Sequence, residues 1–273
     1  MYRLIAFDMD GTLLNSEHEI SEKTAFMIHK AAEEGKTVIF CTGRAPAELL
    51  DYPEQVPDVR YAICASGSIL WDTKERKIIR ERTLSRGTVL SCLSCAAEFD
   101  HTIQIFSENI CFPEYTEERL RQTGLDCYSE IYKKIAKTIP DFESVYKADP
   151  YPVHKLSIHL TNLQDYASVR KLIEAENLPV ALKFANSHSV EITAEGVTKG
   201  EALSYLCDSL GIPLSESIAV GDSDNDTDAL LAAGLGIAMG NAGESIKKIA
   251  GAVVNDNDHE GCADAIEKYL LNR

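Results

Sequence analysis

Asp8 and Asp10, two positions apart, follow the apolar run Leu4-Ile5-Ala6-Phe7 and lead into Gly11-Thr12. Carboxylates so close repel each other unless a cation or a shared proton relieves the repulsion, so the pair suits metal binding, nucleophilic attack or proton transfer. A second acid-rich stretch, Gly221-Asp222-Ser223-Asp224-Asn225-Asp226, follows another apolar run and can offer oxygen ligands to a hard cation such as magnesium. It lacks the twelve-residue spacing and closing glutamate of an EF-hand. Thr42-Gly43 ends a third apolar run and offers a hydroxyl and a freely placed amide to an anion. Lys199 opens a helical stretch, where the helix dipole mildly disfavours a cation, which points to a task for it. Singly, each reads as an ordinary turn or a solvated charge. Jointly, they are types that act together on a phosphate.

The elements that must carry these residues follow from hydrophobic patterning. Residues 3–8, 37–41 and 61–64 are short apolar runs typical of parallel strands buried on both faces. Between the first two, a helix is expected over 22–34, capped by Ser21 and stopped by Gly35. Pro46 opens a short helix after Thr42-Gly43-Arg44, and residues 70–83 read as a hairpin. From about 85 the character changes. A helix over 86–99 precedes strands at 101–106 and 155–160 that alternate as half-exposed strands do, with a polar, tyrosine-bearing stretch over 112–152 between them. A helix over 164–176 and strands at 180–185 and 189–193 close the region. The parallel pattern then resumes, with a helix over 199–210, strands at 217–222, 235–240 and 252–254, and a helix over 262–271. The expected fold is α/β: a doubly wound, Rossmann-like parallel-sheet core, residues 1–84 and 188–273, around an inserted α+β cap domain, residues 85–187. Acidic residues at strand ends then project from the carboxyl edge of the sheet, where open α/β sheets bind ligands.

A chain of 273 residues can bury a sizeable core. Its net charge of −16 argues against nucleic acid or an anionic membrane as partner, and means that an anionic substrate needs a local positive centre. No apolar stretch has the length of a membrane span, and Asp8 and Asp10 interrupt any signal-like segment. The eight cysteines do not form a disulfide scaffold, and Cys92 and Cys95, the one C-x-x-C, lack a second pair to complete a zinc site. A reducing cytoplasm fits this usage.

Asp8-Met9-Asp10-Gly11-Thr12, Thr42-Gly43, Lys199 and Gly221–Asp226, in this order, resemble the motifs of the haloacid dehalogenase superfamily. The cap's placement, together with Ala238-Met239-Gly240-Asn241-Ala242 and the stretch 256–261, resembles its Cof-type sugar-phosphatase-like branch, which has a type IIB cap. The resemblance implies a magnesium-dependent phosphatase acting on a small phosphorylated metabolite, a sugar phosphate or similar. By it, Asp8 is the nucleophile that becomes an aspartyl-phosphate, and Asp10 is the general acid and base. The metal is held by Asp8, Asp222 and the backbone carbonyl of Asp10, with Asp226 in support. Thr42, the Gly43 amide, Lys199 and Asn225 bind the phosphoryl group, and Asn241 is a further contact. A phosphomutase or phosphotransferase using the same intermediate, or a non-catalytic ligand sensor, is the alternative. Two departures stand out: Ser66-Gly67-Ser68 where the branch has Asn-Gly-Ala, and Thr227-Asp228-Ala229 where a methionine often follows. Arg44 matches the branch and equally suits an ion pair. Tyr115, Lys155 and His188 are polar or aromatic positions available for specificity, and a monomer or weak homo-oligomer is expected.

Overall fold

The computed structural model describes residues 1–49, 51–107, 109–186 and 189–273. The chain divides into two compact units, Met1–Arg44, Leu49–Glu81 and Val197–Arg273 in one, Ala45–Glu48 and Arg82–Gly196 in the other. Among the described residues, no helix is long and apolar enough to cross a membrane.

The first unit is built on β1 (Leu4–Phe7), β2 (Thr37–Cys41), β3 (Tyr61–Cys64), β4 (Ile69–Asp72) and β5 (Lys77–Glu81). The second unit's strands are β6 (His101–Phe106), β7 (Ile110–Phe112), β8 (Lys137–Thr138), β9 (Lys155–Leu160), β10 (Val180–Asn186) and β11 (Ser189–Ala194). The chain then returns to the first unit with β12 (Ser217–Gly221), β13 (Leu235–Ala238) and β14 (Ala252–Val253).

The eight-stranded sheet of the first unit has the order β14-β13-β12-β1-β2-β3-β4-β5. It is parallel from β14 to β3, and the hairpin β4–β5 adds an antiparallel edge. Alternate residues of β1 serve opposite layers. Ile5 and Phe7 pack with Met27, Ile28 and Ala31 of the helix Glu22–Glu33 and with Ala263, Ile266 and Leu270. Leu4 and Ala6 pack with Leu203 and Leu206 of the helix Lys199–Ser209 and with Leu230 and Ile246. Both faces are therefore apolar, which is why these strands read as unbroken hydrophobic runs. Ser21 caps the first helix, accepting from the Thr24 amide, and Gly35 (φ +71°) follows its end. β1 leads to β2 on one side while β12 lies on its other side, so a topological switch falls between β1 and β12, where open α/β sheets bind ligands.

The second unit holds a six-stranded sheet of order β10-β11-β9-β6-β7-β8, antiparallel except for β7–β8. The helices Arg86–Ala96 and Tyr166–Ala175 cover one face through Val89, Cys92, Val169 and Ile173, against Ile103, Ile105, Leu156 and Ile158. The strand β11 pairs with β9 and β10, so residues 189–196 lie with this unit, beyond the insertion end anticipated at 187. Its near end falls at 82, and the turn at 45–48 joins it as well, Ala45 packing with Phe106 and Phe112. The stretch 112–152 is more ordered than its polarity suggests, with short helices Glu117–Gln122, Ser129–Ile135 and Phe142–Ala148. The strand β6, expected to be half-exposed, is buried along nearly its whole length.

Candidate active site

The functional candidates of the first unit gather at the carboxyl ends of β1, β2 and β12 and at the start of the helix Lys199–Ser209. Asp8 directly follows β1 and its amide continues the ladder, donating to the Val220 carbonyl at 3.0 Å. Gly11 then reverses the chain with φ +76°, and a Cβ at that position would sit 2.7 Å from Asp222 Oδ2. The turn therefore requires glycine on two counts, conformation and the proximity of a carboxylate. Thr12 Oγ1 donates to Asp222 Oδ1 at 2.8 Å, tying the loop after β1 to the end of β12. Asn241 completes the tie from β13's end, its Nδ2 donating to the Gly11 carbonyl at 2.8 Å.

Asp8, Asp222 and Asp226 each place one carboxylate oxygen within 4.8 Å of the others. Lys199 is fully buried and its Nζ donates to Asp8 Oδ1 at 2.7 Å and to Asp226 Oδ1 at 2.6 Å. Asp226 Oδ2 accepts from the amides of Asp222 and Ser223 at 3.0 and 3.1 Å, so this carboxylate also folds its own loop. Gly221 makes room for it, since a Cβ there would lie 2.4 Å from Asp226 Cγ.

Burial pushes the Asp8 carboxyl well above the usual carboxylate range, and the neighbouring Asp226 and Asp222 add to the shift while Lys199 opposes it. Burial likewise raises Asp222 to about 6, reinforced by Asp226 and opposed by the Thr12 hydrogen bond. Burial disfavours the charge on Lys199, but Asp226 and Asp8 outweigh it and hold the ammonium well above its ordinary value. Three carboxylates share this space with one ammonium, so a divalent cation would neutralise the excess. Hard oxygen donors with little room for repulsion suit magnesium, which takes few carboxylates and completes its shell with water and phosphate oxygens.

Asp10 points its carboxylate elsewhere. Arg44 grips it with two parallel hydrogen bonds, Nε to Oδ2 at 2.8 Å and Nη2 to Oδ1 at 2.6 Å. The guanidinium is 6% exposed, stacks 5.4 Å from the Tyr52 ring centre and donates to Tyr52 Oη, which in turn donates to the His18 carbonyl. Such a fork fixes the plane of the carboxylate as well as its position. The Asp10 side chain is thus outside the three-carboxylate group. Thr42 follows β2, is buried, and its hydroxyl accepts from the Arg44 amide at 3.1 Å; Gly43 is half-buried beside it. Asn225 lies in the turn after β12, its Oδ1 accepting from Ser223 Oγ at 2.8 Å.

Ser66-Gly67-Ser68 forms a turn after β3 in which Ala65, Ser66 and Gly67 all have positive φ. A Cβ at Gly67 would meet the Thr198 carbonyl at 2.3 Å, so the turn abuts the backbone just before Lys199. Neither this contact nor that of Thr12 with Asp222 leaves a mark in the residue pattern. In the second unit, Lys155 forms a buried ion pair with Glu191 at 3.0 Å and lies 4.0 Å from the Phe106 ring centre. Tyr115 packs edge-on to Phe112 and donates to the Ser129 carbonyl at 3.3 Å. His188 lies outside the described residues.

The chain matches the haloacid dehalogenase-like hydrolase family over residues 5–266 and belongs to it. Phosphatase YwpJ of Bacillus subtilis (strain 168) is 31% identical to it over 290 residues, covering 98% of this chain and 100% of that protein. The 5-amino-6-(5-phospho-D-ribitylamino)uracil phosphatase YcsE of the same organism is 27% identical over 278 residues, covering 98% of this chain and 96% of its own. The solved structure of a haloacid dehalogenase-like hydrolase from B. subtilis matches with a TM-score of 0.88 at 31% identity, over 98% of this chain and 99% of that one.

Proposed function

We propose that this protein is a magnesium-dependent phosphatase that hydrolyses small phosphorylated metabolites, sugar or polyol phosphates, with Asp8 as nucleophile. The observation that carries the reading is the arrangement around Lys199. One buried ammonium sits between Asp8 and Asp226, with Asp222 alongside, at the carboxyl edge of a parallel sheet. Relatives named as phosphatases support it, and the one named for a phosphorylated ribityl compound supports a polyol phosphate as the substrate type.

Asp8, Asp222 and the backbone carbonyl of Asp10 would hold the magnesium, with Asp226 in support; when bound, the ion neutralises charge on the phosphoryl oxygens. A carboxylate oxygen of Asp8 attacks phosphorus, the ester P–O bond breaks, and the departing oxygen takes a proton from Asp10. Water then attacks the phosphorus of the aspartyl-phosphate and gives its proton to Asp10, breaking the bond to Asp8 and releasing inorganic phosphate. The two displacements replace one difficult step, as covalent catalysis does generally. Lys199, the Thr42 hydroxyl, the Gly43 amide and Asn225 bind the equatorial oxygens, where phosphoryl transfer most needs positive groups. Arg44 holds the Asp10 carboxylate in the plane it needs beside the nucleophile. The second unit corresponds to the inserted α+β cap domain expected from the sequence. Eight cysteines without the spacing of a disulfide scaffold suit a reducing cytoplasm.

Phosphate release from a panel of sugar, polyol and nucleotide monophosphates, with magnesium and with chelator, tests the reading. Magnesium-dependent release is expected, with polyol or sugar esters preferred. A folded protein that releases phosphate from none of them, or only transfers it to a second sugar, contradicts it.

A further inference from the structure

Two positions after Asp226, Asp228 Oδ1 accepts a hydrogen bond from the backbone N–H of Gly200 at 2.6 Å. Gly200 directly follows Lys199 in the first turn of the helix Lys199–Ser209. The N-cap, Thr198, serves a different amide of that turn, accepting from Glu201 at 3.0 Å. Asp226 meanwhile binds the Lys199 ammonium. One short loop therefore holds this lysine at both ends, the head by its charge and the root by the peptide that follows it. The two segments are in backbone contact as well, since a Cβ at Gly200 would lie 2.5 Å from the Asp228 carbonyl oxygen. Lys199 is fully buried, so displacing its ammonium would disturb the packing around it.

We infer that Asp228 is a positioning residue for Lys199, locking the start of its helix so that the ammonium stays registered with Asp8. The inference rests on the phosphatase reading above. In phosphoryl transfer the lysine contributes through placement, and misplacing a group by about 1 Å can lower turnover by roughly a hundredfold. A cap that served stability alone would lower the melting temperature and leave kcat of the folded enzyme unchanged.

The test is a double-mutant cycle on kcat with an aryl phosphate, measured well below the melting temperature of every variant. Asp228→Ala should lose about tenfold or more in kcat, and Asp228→Asn, whose amide oxygen still accepts, should stay within about threefold. Asp228→Ala combined with Lys199→Met should be no worse than Lys199→Met alone, because nothing remains to be positioned. A folded Asp228→Ala with wild-type kcat, or a double variant falling about another tenfold below Lys199→Met, overturns the inference. Should Asp228→Ala fail to fold, Asp228→Glu replaces it, with the acceptor displaced by one methylene and the same loss expected. If the wild type releases no phosphate, the phosphatase reading fails first, and the side-chain NMR resonances of Lys199 decide separately. A shift in Asp228→Ala but not in Asp228→Asn supports positioning, and no shift in either overturns it.

Discussion

Replacing Lys199 with methionine keeps most of the volume and removes the cation bonded to two of the three clustered carboxylates. In the wild type the ammonium is fully buried and bonded to Asp8 and Asp226 at 2.7 and 2.6 Å. Removing one partner of a buried ion pair costs about 3–5 kcal/mol, because the remaining charge stays desolvated and unpaired. At roughly 2–4 °C per kcal/mol for a unit of this size, the first unit's melting temperature in chelator should fall by about 6–20 °C. Magnesium should recover more in the variant than in the wild type, since its carboxylates lack the lysine's opposing charge. The pH dependence has a definite sign. Burial raises Asp8 above its unfolded value, so the folded state gains protons, and the penalty, full above the folded pKa, is relieved as pH falls through it. Loss of Lys199, which opposes that shift, should make the chelated variant regain stability on acidification more than the wild type. Thermal unfolding of both proteins, with chelator and with magnesium, between about pH 5 and 8 measures all of this. A chelated variant melting within about 2 °C of the wild type, with an equal magnesium shift, would refute charge compensation by Lys199.

Asp222→Asn should raise the melting temperature of the chelated protein, by removing a carboxylate that burial and Asp226 hold at about 6, and should abolish the magnesium shift. In the wild type, apparent magnesium affinity should weaken by about tenfold per pH unit below that value, as Asp222 takes a proton; titrations of activity against magnesium at several pH values check it. Gly11→Ala should destabilise the protein by about 1–2 kcal/mol from its left-handed backbone alone. It should also weaken magnesium activation, because the new Cβ would press on Asp222 Oδ2. Asp10→Asn should lower kcat by about a hundredfold or more for alkyl phosphates and far less for an activated aryl phosphate, which needs no protonation to leave. Equal losses on both would show that Asp10 acts through geometry.

The core was legible because burial on both faces leaves a plain mark. Leu4–Phe7, Thr37–Cys41 and Ser217–Gly221 are apolar or small throughout, and each delivers its polar group one residue past its end. Alternation misled for β6, since it reports two faces of different chemistry, with no information about exposure. Ile103 and Ile105 enter an apolar layer, while Gln104 is buried on the other side, hydrogen-bonded to Tyr132 at 2.7 Å and to His159 at 2.7 Å. The helices Glu117–Gln122, Ser129–Ile135 and Phe142–Ala148 escaped notice because they are too short for a helical period to stand out.

Of the site, Asp8, Asp222, Asp226 and Lys199 could be read from type and position, because a strand end fixes where a following side chain goes. Their partners could not. The Arg44 fork on Asp10 depends on how two loops approach, and the bond from Gly200 to Asp228 joins residues 28 apart through the packing of two helix starts. The departure at Thr227-Asp228-Ala229 supplies one of these contacts.

In the proposed mechanism Asp8 carries the phosphoryl group between the two displacements, and acid quenching during turnover would trap it there. Wild-type protein mixed with magnesium and its best ester, quenched within the first turnovers and digested, should yield the peptide containing Asp8 with one added phosphoryl group. The adduct should be absent from folded Asp8→Asn and from protein in chelator. Steady phosphate release with no adduct on that peptide, or turnover surviving in Asp8→Asn, would contradict the account.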